Sequence, residues 1–306
     1  FNATARDKVL EFVGEWKKTV RRMARFVDFD GAYKTMDNSY IESVWWAIKE
    51  IEKKGLLYEG KHVLLYCPRC ETPVSKAEVA MDNSYKEITE EALTVKFKIE
   101  SPKFQNTYLL AWTTTPWTLP ANVALAVNPL ISYVKITDGK DFFILAKERL
   151  SAFRGDYQMV EDVKAEELIG LCYEPLYDLP SIKSEGKRAW VVLPADFVTT
   201  EEGTGIVHTA VMYGEDDYNL GVTHDLPQIP LLDSKGHFNQ SAPKYIQGEY
   251  FKKAERAIKQ DLHERGLLFS RENNTHSYPH CWRCETWQQK RRATLIRKAT
   301  SAMENM

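Results

Sequence analysis

TYLLAWTTTPWTLPANVALAV, residues 107–127, contains two apolar runs of the kind found in β-strands, joined by a short turn. The first run, TYLLAWTT (107–114), ends just before Pro116, and the second, VALAV (123–127), follows Pro120. Proline has no N–H and a fixed φ, so it ends strand pairing and stiffens the backbone. We therefore predict two strands connected by a rigid turn.

The same turn carries many hydroxyl groups beside two tryptophans. Threonine hydroxyls can hold a water or a substrate hydroxyl, and Trp112 and Trp117 can wall an apolar pocket. The alternative is an edge strand in which threonine only serves its preference for β-structure. If a site is present, its hydroxyls belong to Thr113, Thr114, Thr115 and Thr118.

Outward from this stretch, strand-like runs dominate the middle of the chain. They are VLLYC (63–67), LTVKFKI (93–99), SYVKIT (132–137), DFFILA (141–146), WVVLP (190–194) and GIVHTA (205–210). Together with helical patterns nearer the ends, they predict an α+β protein with a β-rich middle.

Apolar spacing predicts three helices, and the acids at 215–217 indicate the start of another. Residues 6–27 have the apolar spacing of one long amphipathic helix, and a second helix begins after Asp37 or Asn38 and stops at Gly55. The third pattern covers 249–266 and places Phe251, Ala254, Ile258 and Leu262 on one face. MDNSY, at 36–40 and again at 81–85, is interpreted as a repeated turn or cap.

Composition is that of an ordinary globular protein, with 43% apolar and 27% charged residues among 306. No apolar run reaches the ~18 residues that a membrane span requires, and the N-terminus lacks the pattern of a secretory signal. We expect a cytoplasmic chain, or a fragment of one, with no membrane partner. A net charge of −2 gives no indication of a nucleic-acid binder, although basic runs occur at 17–25 and 289–298.

Four of the five cysteines lie in two nearly identical motifs, YCPRCET (66–72) and HCWRCET (280–286). Two such Cys-x-x-Cys turns can make a closed, tetrahedral, structural zinc site, and the alternatives are unrelated reduced cysteines or a redox pair. The predicted ligands are Cys67, Cys70, Cys281 and Cys284. About 210 residues separate the pairs, which indicates a domain inserted into another fold and clasped at its base. His280 is expected to be a bystander, and Cys172 a small buried residue.

A second candidate site segment is EEGTGIVHTAVMYGEDDYNLGVTH (201–224). Its glycines let the chain turn into a strand that delivers His208. The acids that follow, Glu215, Asp216 and Asp217, can complement a helix dipole, bind a divalent cation or hold an ammonium group. A histidine in a strand is more often structural than functional, so these residues alone leave the chemistry open.

AWTTTPWTLPANVALAVNP and GTGIVHTA followed by GEDDY, set between the two cysteine motifs, resemble the editing domain of isoleucyl-tRNA synthetases, a class I family. VDFDGAYKTMDNSYIESVWW (27–46) and HSYPHCWRC (276–284) resemble the flanking catalytic-domain sequence of that family. The resemblance covers residues 1–286. Val211 departs from it, since many members have proline there, and so does the sequence after Thr286.

The resemblance implies a fold and a division into domains. The fold is a β-barrel-like editing core with peripheral helices, flanked by remnants of the catalytic domain. Residues 1–60 become a helical flank, 61–275 the editing domain, and 276–306 the second zinc knuckle with a C-terminal return segment.

The resemblance also implies roles for the candidate residues. The four threonines position a water for catalysis, and Trp117 and Asn122 belong to the substrate-binding segment. Asp217 holds the substrate amino group, and His208 excludes side chains as large as isoleucine. The zinc is structural and no catalytic cofactor is implied.

The implied activity is post-transfer editing, the hydrolysis of mischarged valyl-tRNA(Ile) by a positioned water. The implied partners are the tRNA(Ile) 3′ end carrying valine and the remainder of the synthetase. No HxGH-like or KMSKS-like motif occurs, so we expect no amino-acid activation. Two alternatives stay open: a non-catalytic zinc-stapled module that binds tRNA or protein, and a metal-dependent hydrolase that uses the three acids at 215–217.

Overall fold

The computed structural model describes residues 1–80 and 84–298 and shows a mixed α/β protein. Its α-helices are α1 Asn2–Glu11, α2 Val13–Arg22, α3 Asn38–Lys53, α4 Lys76–Val79, α5 Ala165–Leu168, α6 Pro180–Lys183, α7 Glu215–Thr223 and α8 Phe251–Glu264. Its strands are β1 Leu57–Cys67, β2 Thr72–Val74, β3 Tyr85–Glu100, β4 Thr107–Thr113, β5 Ala124–Val127, β6 Tyr133–Thr137, β7 Phe142–Ala146, β8 Gln158–Val163, β9 Cys172–Tyr173, β10 Val191–Pro194, β11 Val207–Thr209, β12 Leu268–Pro279 and β13 Gln289–Lys298. Short 3₁₀ segments span Pro102–Phe104, Pro116–Ala121, Lys147–Ala152 and Lys244–Ile246. The second MDNSY run begins on residues 81–83, which lie outside the described part of the chain.

The chain forms two compact units, and the smaller contains the three N-terminal helices. The predicted single helix over 6–27 is wrong: α1 and α2 are separated at Phe12, and α2 ends at Arg22. Gly14 follows the break and lowers helix stability by about 1 kcal/mol relative to alanine. Ala24, at φ 56°, takes the chain out of the helix. The second predicted helix is confirmed as α3, with its N-cap at Asp37.

The larger unit spans 61–294 and is built on a ten-stranded sheet of order β12-β3-β9-β10-β5-β11-β4-β7-β6-β8. β3 also pairs antiparallel with β4, so that Leu93 lies opposite Thr113. The six strands β3-β9-β10-β5-β11-β4 therefore form a closed ring of pairings. A separate three-stranded sheet has the order β13-β1-β2. The main core draws on the ring strands through Leu109, Leu125 and Val192, which are fully buried.

The strand predictions around the threonine-rich turn are confirmed, as β4, β5, β6, β7 and β10 begin and end within two residues of the expected limits. β8 and β12 were not predicted, and β3 begins at Tyr85 rather than at residue 93. Residues 85–91 of β3 are mainly polar and lie outside the core, as do most of the β12 residues that pair with them, so this part of the sheet has no apolar alternation that would predict a strand. Cross-strand contacts stabilise it instead, such as the 2.8 Å between Oγ1 of Thr89 and Oγ1 of Thr275.

The late helix is confirmed as α8, and its predicted core face (Phe251, Ala254, Ile258 and Leu262) is buried. This face packs against the proline-restrained turn, where the rings of Phe251 and Trp117 lie 4.9 Å apart, edge to face. The turn is thus held from behind by the core. Among the described residues, every helix is too short or too polar to cross a bilayer.

Cys172 does not fit its prediction, because its side chain is exposed. It lies in the two-residue strand β9, opposite Val191 of β10. Successive strand residues point to opposite faces, and here the neighbouring Tyr173 takes the buried side. The apolar neighbours in sequence therefore did not indicate the orientation of the thiol.

Candidate active site and metal centre

The threonine-rich turn is held by hydrogen bonds among its own residues. Oγ1 of Thr113, at the end of β4, accepts the backbone N–H of Thr115 at 3.1 Å. The carbonyl of Thr115 accepts both the backbone N–H of Thr118 at 3.0 Å and its hydroxyl at 2.8 Å. Pro116 begins the 3₁₀ segment, where an N–H would have no partner within the helix. The turn therefore keeps three hydroxyls in a row, each 3.4 Å from the next.

A cavity of about 260 Å³ lies against this row of hydroxyls. Its lining includes all four predicted threonines together with His208 and Asp217, and is completed by Trp112, Val207, Ala210 and Tyr213. Segments that are about 90 residues apart in sequence meet here because β11 pairs with both β4 and β5. The cavity thus combines hydroxyl, imidazole, carboxylate and aromatic groups.

His208 is delivered by β11 and is almost completely buried. Its Nε2 lies 2.8 Å from Oγ1 of Thr118, and its Nδ1 lies 3.4 Å from Nδ2 of Asn122. Burial lowers the pKa of His208 to about 4, so the imidazole is neutral near pH 7. A neutral ring held at both nitrogens is a fixed, uncharged wall of the cavity.

Asp217 lies in the first turn of α7, and its Oδ1 accepts the backbone N–H of Ala210 at 2.7 Å. The other oxygen, Oδ2, lies so close to Gly214 that a Cβ at that position would be 1.7 Å from it. Gly214 is therefore required by the side chain of Asp217, since its own φ of −136° suits any residue. The carboxylate is held in one place at the edge of the cavity.

Glu215 and Asp216 precede Asp217 but are exposed and do not line this cavity. Glu215 lines a different cavity, among apolar residues that include Val63 and Val79. The three acids of the GEDD segment thus point to different surroundings. Among residues 1–80 and 84–298, the cysteine cluster is the one set of three or more possible ligand atoms that lie close enough together to hold a metal ion, and the three acids do not form such a set.

Trp117 and Asn122 lie behind the cavity rather than in its lining. Trp117 is buried between Tyr213 and Phe251, with ring centroids 5.0 and 4.9 Å away. Asn122 is buried on the far side of His208. The structure therefore gives both residues contacts that support the wall.

The four predicted metal ligands come together in the larger unit, with their sulfur atoms within 4.8 Å of one another. Sγ of Cys284 lies 3.5 Å from Sγ of Cys67 and 3.5 Å from Sγ of Cys70, and Cys70 lies 3.9 Å from Cys281. Four thiolates around a tetrahedral zinc at 2.3 Å are about 3.8 Å apart. The donor set and its spacing therefore fit a closed metal site without an open position.

The two cysteine turns share their backbone conformation as well as their sequence. The glutamate after each second cysteine, Glu71 and Glu285, has a positive φ of 52° and 58°. Burial raises the pKa of the Cys67 thiol. Burial also opposes ionisation of Cys284, but hydrogen bonds with Thr286 outweigh it and lower the pKa of Cys284 to about 6. A bound cation would keep all four sulfurs deprotonated.

Several residues of the site were missed by reading the sequence. Tyr173 hydrogen-bonds Asn122, Tyr213 lines the cavity, and the backbone of Ala210 holds Asp217. Tyr213 and Ala210 lie in the candidate site segment 201–224, so their place in the sequence could have indicated that they belong to the site. Nothing in the sequence around Tyr173 indicated a place in the site, because only the pairing of β9 with β3 and β10 brings it there.

Residues 1–286 match the family of class I tRNA synthetases (I, L, M and V), and the chain belongs to that family. Similar proteins include the isoleucine–tRNA ligases of Clostridium acetobutylicum, 44% identical over 286 residues, and of Clostridium novyi, 45% identical over 287 residues. Each match covers 94% of this chain and 27% of the relative. The chain thus spans about a quarter of the length of the curated relatives it matches.

Among solved structures, the chain is similar to the crystal structure of GlLeuRS-CP1, at 15% identity with a TM-score of 0.49, over 60% of this chain and 99% of that one. It is also similar to the cytosolic leucyl-tRNA synthetase editing domain of P. knowlesi, at 14% identity with a TM-score of 0.46. That match covers 59% of this chain and 95% of the other.

Proposed function

We propose that this chain is the editing part of an isoleucine–tRNA ligase and hydrolyses the aminoacyl ester of valyl-tRNA(Ile). The observation that carries the proposal is the cavity of about 260 Å³ in which four threonines, a neutral His208 and Asp217 meet. The six-strand ring of pairings supports a barrel-like editing core that holds this cavity. The identity to isoleucine–tRNA ligases supports isoleucine as the cognate amino acid.

The chemistry explains why a second site is needed. Isoleucine and valine differ by one methylene, which a pocket can discriminate by only about 1–3 kcal/mol, and isoleucyl-tRNA synthetase is itself the standard example of that limit. A hydrolytic cavity that admits valine and excludes isoleucine by size corrects the error. His208 suits the excluding wall, because it is held at both ring nitrogens and is uncharged near neutral pH.

Asp217 suits the cationic α-amino group of the substrate. Its carboxylate lines the cavity and is fixed by the Ala210 N–H and by the close approach of Gly214. A pre-positioned charge binds an ammonium group without reorganising on arrival. We assign Asp217 to binding and not to proton transfer.

The hydroxyl row suits the positioning of the attacking water. Thr113 and Thr115 offer oxygen atoms along one wall, at the spacing of hydrogen-bonded groups. The water oxygen bonds to the ester carbonyl carbon and the ester C–O bond breaks. One proton of the water ends on the departing ribose oxygen, and the other is released to solvent when the carboxyl group of the freed valine ionises. The neighbouring ribose hydroxyl can assist that transfer, so the protein mainly supplies orientation.

The cysteine site is proposed to hold a structural zinc ion that joins the two knuckles. Cys67 and Cys70 lie about 210 residues before Cys281 and Cys284, so a shared metal closes the chain between them. The remaining partners are the charged tRNA(Ile) 3′ end and the rest of a cytoplasmic synthetase.

Hydrolysis of valyl-tRNA(Ile) and isoleucyl-tRNA(Ile) by the chain tests the proposal. Release of valine with isoleucine spared, lost in Asp217→Ala, is expected. Asp216→Ala is the matched control, since this neighbouring acid is exposed and outside the cavity. Binding of both charged tRNAs with no release above the buffer rate would favour the non-catalytic binding module.

A further inference from the structure

A buried chain of hydrogen bonds runs from the core to the cavity. Tyr173 donates its hydroxyl to Oδ1 of Asn122 at 2.7 Å. Nδ2 of Asn122 donates to the carbonyl of Ala124 at 2.9 Å and faces Nδ1 of His208 at 3.4 Å. Nε2 of His208 lies 2.8 Å from Oγ1 of Thr118, which lines the cavity.

The donors and acceptors in this chain of hydrogen bonds can be assigned in only one consistent order. Thr118 has a single hydroxyl hydrogen, which it donates to the carbonyl of Thr115, so it accepts from His208. His208 is neutral, and its one N–H therefore lies on Nε2. Nδ1 is then an acceptor, which matches the second N–H of the Asn122 amide. Apart from the bond of Asn122 to the Ala124 carbonyl, the hydrogen bonds are therefore all donated in the direction from Tyr173 toward the threonine-rich turn.

Among the contacts of the described residues, the hydroxyl of Tyr173 is the one hydrogen-bond donor to the amide oxygen of Asn122. Its side chain is fully buried, and burial raises its pKa, so the hydroxyl keeps its proton. Its ring packs edge to face on Phe97 at 5.4 Å, which helps to hold the ring in place. Without that donor, the amide oxygen would be buried and unsatisfied.

We propose that Tyr173 is a positioning residue for the editing reaction. By anchoring the amide of Asn122, it holds His208 as the Nε2–H tautomer and thereby directs the hydroxyl of Thr118 away from the cavity and toward the Thr115 carbonyl. The hydroxyl of Thr115, 3.4 Å from that of Thr118, is then left with lone pairs for the water or the ribose. This inference rests on the proposed function, because the reaction it serves is hydrolysis in the same cavity.

The variant that tests it is Tyr173→Phe, which keeps the ring and removes the hydroxyl. A misdirected hydroxyl row should lower kcat for valyl-tRNA(Ile) between about 10- and 100-fold. KM should change by less than about twofold, because Asp217 and the tRNA contacts are untouched. Tyr278→Phe is the control, since Tyr278 is also buried and donates its hydroxyl to the Gln288 carbonyl, outside the cavity.

Two further measurements separate positioning from a general loss of stability. In an Asn122→Ala background, Tyr173→Phe should have no additional effect on kcat, because the two residues act through one contact. Nitrogen-15 NMR of the wild-type imidazoles, with His208→Gln to assign the signal, should show His208 as the Nε2–H tautomer.

The outcomes are distinct. An Nδ1–H tautomer in the wild-type protein, a kcat for Tyr173→Phe within about twofold of wild type, or full additivity with Asn122→Ala would each overturn the role of Tyr173. The tautomer can be read even if Tyr173→Phe does not fold. Absence of valine release by the wild-type chain would instead count against the proposed function. The NMR result would still decide which tautomer His208 adopts.

Discussion

Nε2 of His208 lies 2.8 Å from Oγ1 of Thr118, which joins the strand that carries the histidine to the threonine-rich turn. The two residues are 90 positions apart in the chain and both line the same cavity. The size of the cavity on this side is therefore set by a hydrogen-bonded pair rather than by a single side chain. Substitutions at either position should change both the shape and the hydroxyl pattern of the wall.

Replacing His208 with alanine should enlarge the cavity and admit isoleucine. We expect the preference for valyl-tRNA(Ile) over isoleucyl-tRNA(Ile) to fall by roughly tenfold or more, since one methylene is discriminated by about 1–3 kcal/mol. Parallel deacylation rates for the two charged tRNAs measure it. His224→Ala is the control, because His224 lies at the end of α7 and outside the cavity. An unchanged preference would remove His208 from the excluding wall.

Gly214→Ala should disrupt the proposed binding of the substrate amino group although Asp217 itself is not replaced. The new Cβ would lie 1.7 Å from Oδ2 of Asp217, so the carboxylate must move. Valine release should fall between about 10- and 100-fold, as expected for a misplaced binding group. Gly14→Ala is the control for the exchange of glycine for alanine, because its Cβ would meet nothing within 4 Å. Full activity in Gly214→Ala would argue against a fixed Asp217.

Cys281→Ser should remove the metal, because it leaves three of four thiolates in a closed site. Zinc measured on the purified chain should fall well below the wild-type content, and Tm should fall by about 5–10 °C. Cys172→Ser should keep both, since that thiol is exposed and outside the cluster. Equal zinc content in the wild type and Cys281→Ser would contradict the shared site.

The burial of His208 predicts a pH dependence of stability. Its pKa is lowered to about 4, whereas an exposed histidine titrates at 6.5. Between these values the unfolded chain binds more protons than the folded one, so the free energy of unfolding rises with pH. The part of the stability that comes from keeping His208 neutral is therefore lost on acidification from pH 6.5 toward 4. The contribution is at most about 3 kcal/mol.

Urea unfolding of the wild type and of His208→Gln, at several values between pH 7 and pH 4.5, measures this contribution. The variant keeps a polar side chain but has no imidazole, so it should lose less stability than the wild type on acidification. Other buried groups, such as Glu255, titrate in both proteins and cancel in the comparison. Identical losses in the two proteins would show that His208 does not carry the effect.

Much of the lining of the candidate cavity, and the cysteine cluster, could be predicted because these residues are local in sequence. The four threonines occupy one turn, and each cysteine pair occupies one knuckle, so residue type and spacing indicate them directly. The apolar strands around the turn could also be predicted, because burial imposes a continuous run of apolar residues. The polar part of β3 and β12 could not, because its stability comes from pairing with a strand about 180 residues away.

By itself, the sequence determined the rigid turn with its hydroxyls, the strand that carries His208, and the two cysteine motifs. These depend on short-range properties: the fixed φ of proline, the β-preference of threonine, and the ligand spacing of Cys-x-x-Cys. Only the tertiary structure decided that Trp117 and Asn122 stand behind the wall, that Cys172 is exposed, and that Tyr173 anchors the chain of hydrogen bonds to His208. Those facts follow from strand pairing, because the register of β9, β10, β5 and β11 sets which face each side chain takes and which distant group it meets.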